Sequence, residues 1–239
     1  MKNLFFSISA IAMLVLAACN NSGYKTASAL TNTGITKVNN TETVITSEFK
    51  PFDVMEVNLT VKDYATWKKA FDIDSLYRKA NGLKLIVIGR NNDNPNNLLV
   101  ALSADEVQKA KAFAAEPKLK DLMTKSGVIS KPDFNYYHVI RFNADSKEKQ
   151  WVLITHKVKN FDEWLKVFDA EGTATRASFG LVDVVLSRGV DDPNIVHIVF
   201  DINDMAKAKV RMKDPALKKI MMDAGVEGEP KIEFYTSAE

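Results

Sequence analysis

The chain has 239 residues, 46% of them hydrophobic, and its 32 lysines and arginines nearly balance 30 acidic residues, for a formal net charge of +2. The basic residues are scattered among the acids, which excludes the basic patch that a nucleic-acid partner would need. The one cysteine, Cys19, excludes an intramolecular disulfide, so the folded part must be held by its core.

The N-terminus reads as an export signal. Lys2 precedes an apolar run from Leu4 to Leu16, followed by Ala17, Ala18 and Cys19. The run is short for a bilayer span, and small residues directly before a cysteine resemble a bacterial lipoprotein signal. That resemblance implies a signal peptide over 1–18 and lipid on Cys19, with membrane attachment through that lipid. An ordinary signal peptide is the alternative. No acidic residue follows Cys19, which by resemblance to sorting rules implies the bacterial cell envelope, at the outer membrane and facing the periplasm. Residues 19–50 are rich in Asn, Thr and Ser with no sustained apolar period, as expected of a flexible tether.

The folded part opens on Val54 to Val61, where Met55, Val57, Leu59 and Val61 alternate with Glu56, Asn58 and Thr60, a strand with one face in the core. Asp63 can cap a helix in which Tyr64, Trp67 and Phe71 form one stripe. Leu83 to Ile88 and Leu98 to Leu102 are apolar runs around a polar turn containing Pro95, which predicts a hairpin. Ser103 with Glu106 suggests a capping box, and Pro117 predicts a break and restart in the helix that follows. Gly127 stops that helix, and Phe134 to Ile140 closes the unit as a strand.

The same order of signals then recurs. Arg90, Asp93, Pro95 and Asn96 return as Arg188, Asp191, Pro193 and Asn194, each 98 positions later. Pro117, Met123, Gly127 and Tyr137 return as Pro215, Met221, Gly225 and Tyr235 at the same offset. Trp67 and Trp164 are offset by 97, so one residue is inserted before Gly180. The expected division is repeat 1 over 51–141, a polar linker over 142–150, and repeat 2 over 151–239.

Strand, helix, strand, strand, helix, strand is the ferredoxin-like pattern, an α+β unit whose antiparallel sheet carries both helices on one face. The other face needs a partner. Leu83, Leu85, Val87 and Leu99 are expected on it in repeat 1, and Leu153, Leu181, Val185 and Val199 in repeat 2. With its Tyr/Phe-x-x-Trp helix start and Arg…Asp-x-Pro-Asn hairpin, the duplicated unit resembles the dimeric α/β-barrel superfamily, which includes antibiotic-biosynthesis monooxygenase-like domains. The resemblance implies two ferredoxin-like units packed sheet to sheet as an intrachain pseudo-dimer in a monomer. It also implies a ligand pocket between sheet and helices.

Four residues of the second repeat stand out as candidate ligand contacts. His156 replaces Leu59 on the apolar face of the first strand, although the commoner fate of such a histidine is a hydrogen-bonded core residue. Trp164 begins the first helix, where an aromatic could cover a pocket or simply pack. Asp183 replaces Leu85 and His197 replaces Leu99, and both are expected on the inter-sheet side with Lys157, Glu56 and Asn58; an interface salt-bridge network is the plainer reading. Arg90 and Arg188 are expected to pair with Asp93 and Asp191 of their own turns. No nucleophile elbow, phosphate loop or metal-ligand spacing is present, so no metal and no cofactor is implied. The function expected is a non-catalytic, lipid-anchored module that binds a small apolar ligand or an envelope protein. The alternative is a cofactor-independent monooxygenase-like or haem-binding enzyme, with His156 or His197 as the polar actor; the Asn, Trp, His set of the haem-degrading members of the superfamily does not map onto this chain. A relic of duplication with filled cavities is the third possibility.

Overall fold

The computed structural model describes residues 49–238; the expected signal peptide, Cys19 and most of the expected tether lie outside the described residues. Repeat 1 runs β1 (Phe52–Thr60), α1 (Tyr64–Ile73), α2 (Ser75–Ala80), β2 (Leu83–Asn91), β3 (Asn97–Ala104), α3 (Val107–Ala114), α4 (Pro117–Lys125) and β4 (Asp133–Phe142). Repeat 2 follows with β5 (Gln150–Val158), α5 (Phe161–Glu171), α6 (Thr173–Ser178), β6 (Leu181–Gly189), β7 (Ile195–Ile202), α7 (Met205–Met212), α8 (Pro215–Asp223) and β8 (Val226–Ser237). Among the described residues no helix is long and apolar enough to cross a membrane.

The eight strands form one closed antiparallel barrel in the order β1-β3-β2-β8-β5-β7-β6-β4. Each repeat supplies four adjacent strands, and the two seams join β2 to β8 and β4 to β6. The unpartnered sheet face of each repeat is thus covered by the other repeat of the same chain. The helices sit outside, over two separate cores. Met55, Val57 and Leu59 of β1 pack with Trp67 and Phe113 in one; Val152, Ile154 and Val158 of β5 pack with Trp164 and Phe200 in the other. Burying one side chain of this size contributes roughly 1.5–3 kcal/mol. A third cluster, with Leu99, Trp151, Leu153 and Tyr235, lies between the sheets.

A β-bulge in each repeat decides which residues face which side. The register of β2 against β3 slips between Leu85 and Val87, and that of β6 against β7 between Asp183 and Val185. A one-residue slip exchanges the faces of a strand. Val87, Leu99, Val185 and Val199 line the inter-sheet space as expected, with Leu153 in the inter-sheet cluster. Leu83 and Leu181 instead pack under the helices, and Leu85 is 46% exposed.

Local signals mostly act as their chemistry requires. Asp63 accepts from the Thr66 amide at 2.8 Å and starts α1, Pro117 and Pro215 open α4 and α8, and Gly127 and Gly225 take φ of +89° and +88° just after them. The capping box does not form. Ser103 lies in β3 and donates to the Lys84 carbonyl, while Glu106 caps α3 without a side-chain bond. Arg90 and Arg188 do not pair with their turn aspartates. Each Nε donates to the proline carbonyl of its own hairpin, Pro95 at 2.9 Å and Pro193 at 3.0 Å, and each guanidinium lies over an aromatic ring, Tyr64 or Phe161.

Candidate functional site

Each repeat has room between its sheet and helices, but in unequal measure. The cavity of repeat 1 is about 60 Å³ and that of repeat 2 about 170 Å³. Two rings account for the difference. In repeat 1, Tyr77 of α2 and Phe113 of α3 pack with ring centroids 5.1 Å apart and fill the space, with the Tyr77 hydroxyl bonded to Glu116. Arg78 donates to the Phe71 carbonyl just as Arg176 donates to that of Phe168. That correspondence places the inserted residue between Phe168 and Arg176, where Gly172 joins α5 to α6 with φ of +79°. It also makes Thr175 the counterpart of Tyr77 and Arg211 the counterpart of Phe113. Losing both rings opens the second cavity.

His156 stands at the sheet side of that cavity. It is 5% exposed, and neither ring nitrogen has a hydrogen-bond partner. Burial pushes its pKa down to about 4, so at neutral pH the ring is uncharged and presents one N–H donor and one acceptor nitrogen. Trp164 meets its ring edge-on at 5.5 Å and stacks on Phe168 at 5.1 Å. The remaining wall is apolar, with Ile198, Phe200, Met212 and Met221.

One edge of the cavity is charged, and its charges are already matched. Arg176 donates to both oxygens of Asp183, at 2.8 and 2.6 Å. Arg211 donates to Glu171 at 2.7 Å and Asp214 at 3.1 Å. Asp183 therefore lies on the helix side, not on the inter-sheet side where alternation placed it, because the bulge that follows it fixes its face. Lys157 turns outward to Asp192 at 2.8 Å.

His197 belongs to a second chamber, of about 390 Å³, between the two sheets. Its Nε2 lies 3.2 Å from Glu56 Oε2, its Nδ1 lies 3.3 Å from Thr155 Oγ1, and its ring stacks on Tyr137 at 4.0 Å. Burial raises the Glu56 carboxyl to about 7 and lowers the His197 imidazole to about 3. Desolvation disfavours both charges, which moves the pair toward its neutral form, a carboxylic acid beside an uncharged imidazole. Of the four candidates, His156 and Trp164 share one cavity with the Asp183–Arg176 pair at its edge. His197 sits in the other chamber, with Glu56.

Solved structures of the same architecture confirm the topology. One from Lactobacillus acidophilus NCFM, provisionally assigned as a monooxygenase, superposes with a TM-score of 0.52 at 14% identity, covering 78% of this chain and 94% of that one. The fold is a dimeric α/β barrel closed within one chain. A barrel from Fusobacterium nucleatum with the same provisional assignment matches with a TM-score of 0.53 at 10% identity, over 79% of this chain and 93% of that one. An anthrone oxidase-like protein matches with a TM-score of 0.52 at 13% identity, over 79% and 92%. No protein-family model and no curated protein matches the sequence. At these identities the likeness establishes the barrel and leaves activity to be argued from the site.

Proposed function

We propose that this protein binds one small, flat, mainly apolar molecule in the sheet–helix cavity of repeat 2, with His156 as its polar contact. The observation that carries the reading is the orphaned imidazole. A buried polar group without a partner costs about 1–3 kcal/mol, and a ligand that accepts from one ring nitrogen or donates to the other recovers that cost. Trp164 and Phe168 offer stacking faces, and Met212 and Met221 adapt to an irregular outline.

Oxidation of the bound molecule is the second reading. It is favoured by the barrels of like fold that carry oxygenase or oxidase names. Here His156 would accept the proton of an acidic C–H or O–H, and the resulting anion would pass an electron to dioxygen. A ring held near pKa 4 is a weak base at neutral pH, so hydrogen bonding suits it better than proton abstraction. A haem fits poorly. The guanidinium groups that its propionates would need, Arg176 and Arg211, are already held by Asp183, Glu171 and Asp214. Attachment to the cell envelope through Cys19 is part of the same proposal and rests on residues 1–19.

Titration with anthrone, followed by Trp164 fluorescence and an oxygen electrode, tests both readings. Quenching that is lost in His156→Leu supports binding, and concurrent oxygen uptake supports oxidation. Quenching that persists unchanged in His156→Leu contradicts the role given to this residue.

A further inference from the structure

The chamber between the sheets is larger than the helix-side cavity and independent of it. Its walls come from both repeats, with Val54, Val87, Leu99 and Val139 of repeat 1 facing Val185 and Val199 of repeat 2. Apolar cavities of about 150 Å³ stay dry and take up benzene; this one is about 390 Å³. At its polar end Glu56 is 4% exposed. Oε1 accepts from Asn58 at 2.8 Å and Oε2 faces His197, which leaves acceptor capacity on a carboxyl that lines the chamber. A buried pair of this kind is a weak source of stability compared with apolar packing of the same volume, so packing alone gives no reason for a carboxyl here.

The opposite end is covered. Phe52 and Phe142 meet edge to face at 5.8 Å, and the segment 143–149 that joins the repeats crosses the opening. The Ser146 hydroxyl donates to Asp201 at 2.6 Å, the Asn143 amide to the Val184 carbonyl at 2.8 Å, and the Ser237 amide to the Lys149 carbonyl at 2.7 Å. Fusion of two units in one chain thus supplies a cover that two separate chains would lack.

We propose that the inter-sheet chamber is a second binding site, for a small apolar molecule bearing one hydroxyl, with that hydroxyl on Glu56, the apolar body between the sheets and residues 143–149 as cover. The site does not depend on the reading of His156.

The test uses methyl-resolved NMR of the protein with 1-naphthol and with 1-methoxynaphthalene, which lacks the donor. 1-Naphthol should shift the methyl groups of Val139, Val185 and Val199 and the carboxyl carbon of Glu56, equally in wild type and in His156→Leu. The methoxy compound should bind about tenfold more weakly, the loss of one hydrogen bond to a buried carboxyl. Ala101→Phe, which fills the chamber, should abolish these shifts. Unmoved chamber methyls at millimolar 1-naphthol would overturn the site, and equal affinity for the two compounds would overturn the role of Glu56. Both comparisons use the wild-type chain, so they stand even where Ala101→Phe does not fold.

Discussion

At the scale of single residues, His156 links stability to pH. Its folded-state pKa, about 4, lies below the unfolded value of 6.5. Between those values the unfolded chain holds a proton that the folded chain lacks, so stability falls as pH is lowered. The slope from this residue is about 1.4 kcal/mol per pH unit, about 3 kcal/mol over the window. His197 acts in the same direction, while Glu56, whose pKa is raised, opposes it between pH 4.5 and 6.5. Urea unfolding from pH 7 to pH 4 should therefore show a slope in wild type that is shallower by about one proton in His156→Leu. At pH 7 the same substitution should leave stability unchanged or raise it, because leucine fills the position as Leu59 does in repeat 1. A loss of more than about 2 kcal/mol at pH 7 would mean that the imidazole has partners in solution. His156 was legible in the sequence as a polar residue at an apolar position. Its lack of partners was not, since that depends on what the helices place above it.

The helices and strands explain why one cavity is open and its sister nearly closed. Thr175 in α6 and Arg211 in α7 stand where Tyr77 and Phe113 fill repeat 1. Thr175→Tyr should put one ring back and weaken anthrone quenching of Trp164 by about tenfold or more with little change in stability; full-strength quenching would show that the missing ring does not make the site. Both exchanges stand in the sequence: Arg211 aligns with Phe113 at the 98-residue offset directly, but Thr175 aligns with Tyr77 only once the inserted residue is placed before it, at Gly172. Bulges hide in the same way. Alternation along β6 put Asp183 on the inter-sheet side with His197, and the slip before Val185 put it under α6 against Arg176. A closer fit holds β2 against β5. A Cβ on Gly89 would overlap the Trp151 ring, with Cη2 only 2.8 Å away, so Gly89→Ala should lower stability by about 1–3 kcal/mol in thermal denaturation. It should also break the Trp151 Nε1 bond to Ser237 at 3.0 Å. An unchanged melting temperature would show that the ring moves aside freely.

For the whole molecule, duplication has kept the frame and freed the second half to differ. Hairpin arginines, helix-opening prolines and stop glycines recur because the same turns recur, and that regularity made the fold readable. The site was harder to read because it lies where the copies disagree. Cys19→Ser should move the protein from the detergent to the aqueous phase in phase partitioning, and unchanged partitioning would refute a lipid at that position. The nitrogen resonances of His156, followed by NMR during addition of anthrone, report on the cavity most directly. The geometry predicts a neutral ring that stays unprotonated down to about pH 5 and a shift of one ring nitrogen on binding. A ring that titrates near pH 6.5, or that saturating anthrone leaves unmoved, would contradict a binding site built on His156.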